Sequence, residues 1–431
     1  MVLLRIAQEE SEVRQLTQGS RDKNAEMNVA YLIFDEIPWH PVIRGQVIEL
    51  IKKIKPKAKI DNYYLVSFLR LNRILTGREE ISHIKGELEE SGIDLILIPV
   101  PYLGFAARWY LLPIVLLVTL PILLYLVLTK KIGLLHCRSY LITISALVVK
   151  RILGTKCIFD PRSDFPEENI TVGRWAETSI SFKILKFLEK LFLRDSDATI
   201  AIANTYDEHF RRIFQDSRLY EMPNNVDVEK FVRDDSFRDA YRDENGIGRK
   251  IVFCYEGSMG YHWHCPEIYA QYIMRMRGLR IDHIFLFVIP KSDVTPLKET
   301  FNKYGIGSAE YLVEHAGFDE VPKYLSVADF GLEFMERYKI AMGIKFVEYL
   351  AMGLPVVINS QVGGARTVIE EYGVGTILDL GQNNFLEQLI ELIENKDEIA
   401  KECRSLAEAL FSNEVVSNRY AHLYEQLLYG V

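Results

Sequence analysis

The sequence predicts an α/β protein of two domains, each built around a mostly parallel sheet. The first observation is its length, since 431 residues exceed what a single hydrophobic core usually serves. The second is an alternation of strand-like and helix-like segments, which begins at 28–34 and restarts at 251–260 and is typical of parallel sheets. The third is the turn-rich MPNNVD at 222–227, where we place the domain boundary.

The composition indicates a globular chain and argues against several kinds of partner. A content of 49% hydrophobic and 26% charged residues allows sizeable cores. The net charge of −8 argues against nucleic acid as the main partner. The five cysteines contain no Cys-x-x-Cys pair, which favours a reducing compartment and offers no thiolate metal site.

The first domain is predicted to span 28–223, the second 224–411, and a terminal helix 412–431. Residues 1–27 are expected to form a flexible tail, because the apolar MVLLRI is too short for a secretory signal. Met27 is an alternative natural start. Strands are predicted at 28–34, 63–68, 93–100, 133–137 and 198–203. Helices are predicted at 78–92, at 173–194 and after the turn at 35–50, where the helix runs to about 55.

A long apolar segment at 108–131 breaks this ordinary pattern. Its centre reads YLLPIVLLVTLPILLYLVL, with Arg108 before it and Lys130 and Lys131 after it, which makes it a transmembrane candidate by length. The predicted strands on its two sides should share one sheet, so a single crossing would separate them. We therefore expect a crossover helix that dips into one leaflet, and a protein that is cytoplasmic and peripheral on the inner face of the cell membrane. A fully buried core helix is the alternative.

The second domain contains a stretch, 339–370, whose order is loop, helix, strand, glycine turn and helix. Two helix N-termini near one sheet edge suit a phosphate group. Lys345 and Glu348 lie three residues apart and share a helix face, so an ammonium can meet phosphate while a carboxylate holds sugar hydroxyls. An ion pair on an ordinary amphipathic helix is the alternative.

The string KFVEYLAMGLPVVIN with its following Gly-Gly turn resembles the nucleotide-binding helix of retaining GT-B-fold glycosyltransferases, the family 4 group in particular. The resemblance implies two Rossmann-like domains facing a cleft, with the terminal helix crossing back to the first domain. It also implies a UDP- or GDP-sugar donor in the second domain, an acceptor in the first, no required metal and no cofactor. Sugar transfer would retain the anomeric configuration.

The resemblance also assigns donor contacts. Glu348 falls on the glutamate that holds the nucleotide ribose, and the backbone of 342–344 falls beside the donor's phosphate and sugar. Ile340 stands where the family carries its first glutamate, the usual partner of the sugar ring. The remaining donor candidates are Met342, Gly343, Ile344, Gly257, Ser258, Lys291, Gly317 and Phe318, with Lys345 and then Lys291 as sources of charge for the diphosphate.

Some of these positions have a plain structural alternative. The turn at Gly257 and Ser258 can approach phosphate closely, but the family's Arg and Lys after it are replaced by residues 261–264. We interpret His262 and His264 as cleft or surface residues, since nothing at ligand spacing completes a metal site. For Gly317 and Phe318, assigned to the nucleotide base by the resemblance, a strand-turn-helix connection is the alternative.

The candidates of the first domain lie on three predicted strand ends, and those for the acceptor are Arg44, Gly45, Asp160, Arg162 and Asp164. Arg44 and Gly45 follow the first strand, with a capped turn as the alternative. His136 and Arg138 stand where related enzymes often read His-x-His near the reaction centre; Arg138 is a fixed cation that can stabilise a diphosphate or an acceptor anion. A satisfied strand-end histidine is the alternative for His136. Asp160, Arg162 and Asp164 follow a further strand, with a solvated turn as the alternative.

These interpretations converge on an enzyme with Arg138, His136 and Lys345 as catalytic candidates. The predicted acceptor is a membrane-associated glycan or lipid-linked sugar, since the apolar 108–131 segment offers a membrane contact. Two other functions remain open: a non-catalytic scaffold in glycan assembly and a nucleotide-sugar epimerase of the same fold. The sugar, the base and the oligomeric state are not predicted.

Overall fold

The computed structural model describes residues 27–100, 110, 112–259, 264–317, 319–337, 340 and 342–430. Two parallel sheets form the centres of two α/β units, which confirms the predicted fold class. The neighbouring strands β1 and β2 are almost entirely buried, as expected for a sheet covered by helices on both faces.

The first sheet has seven strands in the order β3-β2-β1-β4-β5-β6-β7. Its strands are β1 (Asn28–Phe34), β2 (Asn62–Arg70), β3 (Ile93–Val100), β4 (Leu134–Arg138), β5 (Lys156–Asp160), β6 (Ala198–Ala201) and β7 (Leu219–Glu221). The helices are α1 (Pro41–Ile43), a π-helical turn (Arg44–Ile48), α2 (Glu49–Lys57), α3 (Leu71–Thr76), α4 (Arg78–Glu90), α5 (Leu112–Lys130), α6 (Tyr140–Leu153), α7 (Phe165–Thr171), α8 (Ile180–Asp195) and α9 (Asn204–Ile213).

The second sheet has six strands in the order β10-β9-β8-β11-β12-β13. Its strands are β8 (Ile251–Glu256), β9 (His283–Val288), β10 (Tyr311–Glu314), β11 (Phe330–Glu333), β12 (Val356–Ile358) and β13 (Gly375–Ile377). The helices are α10 (Asp235–Glu244), α11 (Pro266–Met276), α12 (Lys291–Lys303), α13 (Val321–Val327), α14 (Ile344–Ala351), α15 (Gly363–Tyr372), α16 (Phe385–Glu394), α17 (Lys396–Leu406), a π-helical turn (Ala407–Phe411) and α18 (Asn413–Tyr429).

One predicted helix starts later than its periodicity indicates. The sequence predicts a helix over 173–194, but α8 begins only at Ile180. The preceding α7 stops at Thr171, and Gly173 takes a φ of +70°, a conformation that ends helices. Ser179 then caps α8 by accepting a hydrogen bond from the Phe182 amide, so a second helix starts there.

The apolar helix α5 connects two strands of one sheet, because β3 and β4 lie on either side of β2 and β1. Among the described residues it is the one helix long and apolar enough to cross a membrane. It packs on α6, yet Leu117, Tyr125 and Leu128 are 75%, 65% and 64% exposed. The alternative of a fully buried core helix is therefore wrong. Arg108, the basic residue before it, lies outside the described residues.

The chain passes between the two units twice, and the two passages pair with each other. The Val226 amide donates to the Phe411 carbonyl at 2.8 Å, and the Asn413 amide donates to the Val226 carbonyl at 2.9 Å. The terminal helix α18 then packs against α2 of the first unit, with Tyr420 and Tyr424 buried in that core. Of the predicted tail 1–27, residues 1–26 lie outside the described residues, and Met27 is not flexible tail but is buried in the first-domain core.

Candidate active site between the two domains

A cleft of about 890 Å³ separates the two sheets, and residues of both units line it. The carboxyl ends of β4, β8 and β11 open into it, the edge where ligands bind in parallel α/β sheets. Of the predicted site residues, those that line it are Arg44, Gly45, Arg138, Arg162, Gly257, Ser258, Met342, Gly343, Ile344, Lys345 and Glu348.

Glu348 lines the cleft from α14, although the residues next to it in the helix are apolar and buried. Its neighbours Phe346, Val347 and Tyr349 are fully buried, and Glu348 itself is nearly so. A charged neighbour of Glu348 on this wall is Glu256, the last residue of β8, which also lines the cleft. Burial, together with the negative charge of Glu256, raises the pKa of Glu348 well above its usual range.

Lys345 lies one turn before Glu348 and is held in place by His264. The Lys345 ammonium donates to His264 Nε2 at 3.2 Å, while His264 Nδ1 lies 3.0 Å from the Phe334 carbonyl oxygen. Nδ1 must donate to that carbonyl, so Nε2 is free of a proton and accepts from the ammonium. The same ammonium stands 5.4 Å from the Tyr255 ring centre. His264 is a cleft residue, as the sequence indicated, and it positions Lys345.

The glycine turn after β8 brings backbone close to this ammonium. Gly257 has a φ of +112°, which a side chain would resist. A Cβ placed on Gly257 would lie 3.7 Å from Lys345 Nζ. Positive charge, a bare backbone turn and the N-terminus of α14 therefore meet at one place, an arrangement that suits a diphosphate.

Two glutamates of the cleft escaped the sequence analysis. Glu256 ends β8 and Glu333 ends β11; both are buried and both line the cleft. A Cβ on Gly343 would lie 2.1 Å from Glu333 Oε1, so the carboxylate explains the glycine at that helix start. A charged residue at the last position of an apolar strand was the available signal, since that edge of a parallel sheet faces ligands.

The first-domain wall carries the acceptor candidates Arg44 and Gly45. Arg44 Nη2 is 3.1 Å from Glu87 Oε2, and the Gly45 carbonyl accepts from Asn225 at 3.0 Å. Arg44 is thus an ion-paired cation at the rim, and Gly45 links the cleft wall to the domain boundary.

His136 and Asp160 lie beneath this wall and do not line the cleft. Both are fully buried, with His136 Nε2 3.1 Å from Asp160 Oδ2 and His136 Nδ1 2.6 Å from the Tyr424 hydroxyl. Burial lowers the pKa of His136. Burial alone would raise the pKa of Asp160, but the Arg162 charge and the His136 hydrogen bond lower it to about 2. His136 is therefore a strand-end histidine whose two ring nitrogens both have partners. Asp160 accepts a hydrogen bond from Arg162 and holds it in place.

The remaining predicted positions lie away from the lining or outside the description. Asp164 is buried just before α7, and Lys291 is exposed at the start of α12. Gly317 is exposed between the cleft residues Ala316 and Asp319. Phe318 lies outside the described residues.

One group in the described part of the chain has the spacing of a metal site, and it lies away from the cleft lining. The ligand atoms of Glu167, Glu189 and His209 fall within 4.8 Å of one another. The Lys186 ammonium bonds both glutamates, at 2.6 Å to Glu167. A cation of the chain itself thus already balances these carboxylates.

One family model matches part of the second domain. Residues 276–409, which include Lys345 and Glu348, match the family model described as Glycosyl transferases group 1. No curated protein sequence matches the chain. The family match covers most of the second domain and none of the first.

Solved structures match over both domains. A glycosyltransferase from Rickettsia africae has a TM-score of 0.69 at 12% identity, covering 95% of this chain and 100% of that one. Anabaena HepE in complex with UDP has a TM-score of 0.68 at 14% identity, covering 93% and 100%. WaaG, a glycosyltransferase involved in lipopolysaccharide biosynthesis, has a TM-score of 0.61 at 12% identity, covering 92% and 99%.

At these identities the structures establish the architecture, while the family match identifies the second domain. The prediction of a glycosyltransferase enzyme is confirmed at the level of that domain. The chain has the GT-B fold, with two Rossmann-like domains around a cleft, and carries a glycosyl transferases group 1 domain.

Proposed function

We propose that this chain transfers a sugar from a UDP- or GDP-sugar to a membrane-associated glycan or lipid-linked acceptor, with retention of configuration and without a metal. The observation that carries the proposal is the placement of Lys345 and Glu348 on one turn of α14, both lining the cleft opposite the first domain. An ammonium and a carboxylate so spaced match a diphosphate joined to a ribose.

The donor occupies the second-domain wall. Glu348, once ionised, accepts hydrogen bonds from the ribose hydroxyls, and the start of α14 offers backbone N–H groups to the diphosphate. Lys345 adds a full positive charge beside the Gly257 turn. Anabaena HepE, which shares the fold, forms complexes with UDP and with UDP-glucose, which supports a uridine nucleotide.

The proposed chemistry needs charge stabilisation more than a protein base. As the bond between sugar and diphosphate breaks, negative charge grows on the diphosphate, and Lys345 with the helix N-terminus stabilises it. The leaving diphosphate takes the proton of the acceptor hydroxyl on the same face of the sugar, which retains the configuration. The two domains hold donor and acceptor in reacting positions. We propose that no cofactor takes part, and that activity persists when divalent ions are chelated.

The nucleotide screen is the first test. We expect UDP or GDP, but not CMP, to raise the melting temperature of the full chain, since a ligand bound only to the native state stabilises it by about 2.7 kcal/mol at 100 times Kd. The corresponding nucleotide-sugar should then be hydrolysed slowly without acceptor. Nucleotide-sugar binding without hydrolysis would identify a scaffold. Epimerisation of the sugar without transfer would identify an epimerase. No stabilisation by any nucleotide would contradict the proposal.

The acceptor is proposed to lie at a membrane because apolar residues cover one exposed face of the first domain. Leu117, Tyr125 and Leu128 of α5 are exposed. The helix α8, which like α5 packs on α6, exposes a second row of apolar and basic residues: Ile180, Lys183, Phe187, Lys190 and Arg194. Such a surface suits anionic headgroups at the inner face of the cell membrane.

Vesicle flotation tests the membrane contact. We expect the full chain to float with vesicles that contain phosphatidylglycerol, and Leu117→Glu to weaken that binding at least about tenfold, because a charge in an apolar membrane environment is costly. The matched control is Leu75→Glu, since Leu75 is exposed on α3 of the same domain. Equal binding by the two variants would contradict the membrane role of α5.

A further inference from the structure

Two arginines leave neighbouring strand ends on the first-domain wall of the cleft. Arg138 is the last residue of β4, and its register partner on β5 is Asp160. Arg162 follows Asp160 by two residues, and both arginines line the cleft. Each guanidinium is permanently charged and carries five N–H donors in a rigid plane. The wall therefore presents two fixed cations from one sheet edge.

Neither guanidinium has used all its donors. Arg138 Nε donates to Glu36, at 3.1 and 2.9 Å from its two oxygens. Arg162 donates from Nε to Asp160 at 2.8 Å and from Nη2 to the Tyr420 hydroxyl at 3.0 Å. On both arginines Nη1 is buried and has no hydrogen-bond partner in the described part of the chain. A buried N–H group without a partner is costly, so the presence of two such groups on neighbouring strand ends calls for an explanation.

Two arginines away from the cleft behave differently. Arg242 donates from all three side-chain nitrogens, to the carbonyls of Gly248, Val327 and Lys250. Arg404, whose side chain is 32% exposed, also uses all three nitrogens: Nε donates to the Glu408 carboxylate, and the other two donate to the carbonyls of Phe231, Ala351 and Val228. These two arginines do not line the cleft. Among the described residues, the buried arginine nitrogens that lack a hydrogen-bond partner are the Nη1 atoms of Arg138 and Arg162.

The backbone beside both cleft arginines is strained. Ser139, directly after Arg138, has φ +92° and ψ 163°, a region that is almost reserved for glycine. Arg162 itself has a φ of +56°. The Ser139 amide donates to the Asp160 carbonyl at 2.9 Å, which locks the two strand ends together. Strain that persists at a cleft, with donors in reserve, indicates a site prepared for a ligand.

The chemistry of the two groups selects the ligand. Two planar guanidinium ions suit an anion with several oxygens, above all a phosphate or diphosphate. The carboxylates of Glu36 and Asp160 balance the charge of the two guanidinium groups. Binding of an anion there therefore rests on directed N–H groups as well as on charge. A neutral glycan offers no oxygen that matches a pair of full charges.

We propose that Arg138 and Arg162 form a phosphate-binding subsite for the acceptor, so that the acceptor carries a phosphate or diphosphate close to the hydroxyl that is glycosylated. This inference rests on the proposed function, in which the donor's own diphosphate lies on the opposite wall at Lys345 and α14. The cleft then holds two anions, one on each domain, with the sugar to be transferred between them.

Titration calorimetry on the UDP-saturated full chain tests the subsite, because UDP fills the donor wall. We expect inorganic pyrophosphate to bind the wild-type protein under these conditions. Arg138→Gln and Arg162→Gln should each weaken that binding at least about tenfold, as expected for losing a charged hydrogen-bond donor. The matched control, Arg151→Gln, removes an exposed charge of the same domain and should leave pyrophosphate binding unchanged.

UDP binding tests the donor site, and pyrophosphate binding tests the proposed subsite. UDP affinity, measured first, shows that each variant is folded and tests the proposed function alone. If the wild-type protein binds UDP but the saturated protein takes no pyrophosphate, the subsite is overturned while the donor site stands. The subsite is also overturned if neither Arg138→Gln nor Arg162→Gln weakens pyrophosphate binding.

A turnover assay identifies the source of the phosphate. Stimulation of nucleotide-sugar consumption by a polyprenyl diphosphate sugar in vesicles, but not by a soluble sugar phosphate, assigns the anion to a lipid carrier. Stimulation by the soluble sugar phosphate, but not by the polyprenyl diphosphate sugar, assigns the anion to a phosphate on the glycan. Either stimulation should fall in Arg138→Gln. An uncharged glycoside that stimulates wild type and Arg138→Gln equally would overturn the proposal.

Discussion

Replacing Glu348 by glutamine is expected to weaken UDP or GDP binding by at least about 100-fold, since two charge-assisted hydrogen bonds contribute roughly 1.5–3 kcal/mol each. The same change should stabilise the ligand-free protein at neutral and alkaline pH. Glu348 is buried against Glu256, and its raised pKa shows that the fold favours the protonated carboxyl. Glutamine keeps the shape and cannot ionise.

The pH dependence follows from that direction. The unfolded carboxyl titrates near pH 4.3, about the value of a free glutamate, and the folded one titrates higher. Its contribution to stability is full below the unfolded pKa and is lost as pH rises through the folded pKa. Ligand-free wild-type protein should therefore lose stability across that window, and Glu348→Gln should lose less.

Melting curves between pH 5 and 9, with and without UDP, measure both effects. Glu371→Gln is the matched control, because Glu371 is exposed on α15. Nucleotide binding to the ionised carboxylate should also release protons, so UDP affinity should rise with pH over the same window. A Glu348→Gln protein that binds UDP normally would refute the donor assignment.

The second large effect is expected from Lys345→Met. Loss of the ammonium removes the charge that stabilises the leaving diphosphate, and kcat should fall about 10²–10³-fold, as when one donor to a developing anion is deleted. UDP affinity should fall more than uridine affinity, since uridine has no phosphate for Lys345 to meet.

Lys291→Met gives the matched comparison for Lys345→Met. Lys291 was the second candidate for the diphosphate charge, but it is exposed at the start of α12 and does not line the cleft. We expect its kcat to remain within about twofold of wild type, as for surface changes away from the site. A larger loss in Lys291→Met than in Lys345→Met would reverse the assignment.

The site was only partly predictable, and its two walls differ in this respect. The donor side is contained in one continuous stretch, so the shared helix face of Lys345 and Glu348 follows from local spacing, and Gly343 follows from the resemblance of that stretch to a known family. Glu256 and Glu333 come from β8 and β11, and they reach Glu348 and Gly343 only through the order of the second sheet. The sequence suggests His136 as a catalytic residue and Asp160 as an acceptor residue, yet both are fully buried, and Tyr424 of α18 bonds His136.

The sequence by itself determined the fold class and the helix that carries Lys345 and Glu348, because alternating periodicity and a continuous motif are local properties of the chain. The tertiary structure decided which strand-end side chains face the cleft. Arg162 is held by Tyr420, a residue 258 positions away, and His264 holds Lys345 across 81 positions. Contacts of that range depend on how sheets and the returning helix pack, and no local pattern encodes them.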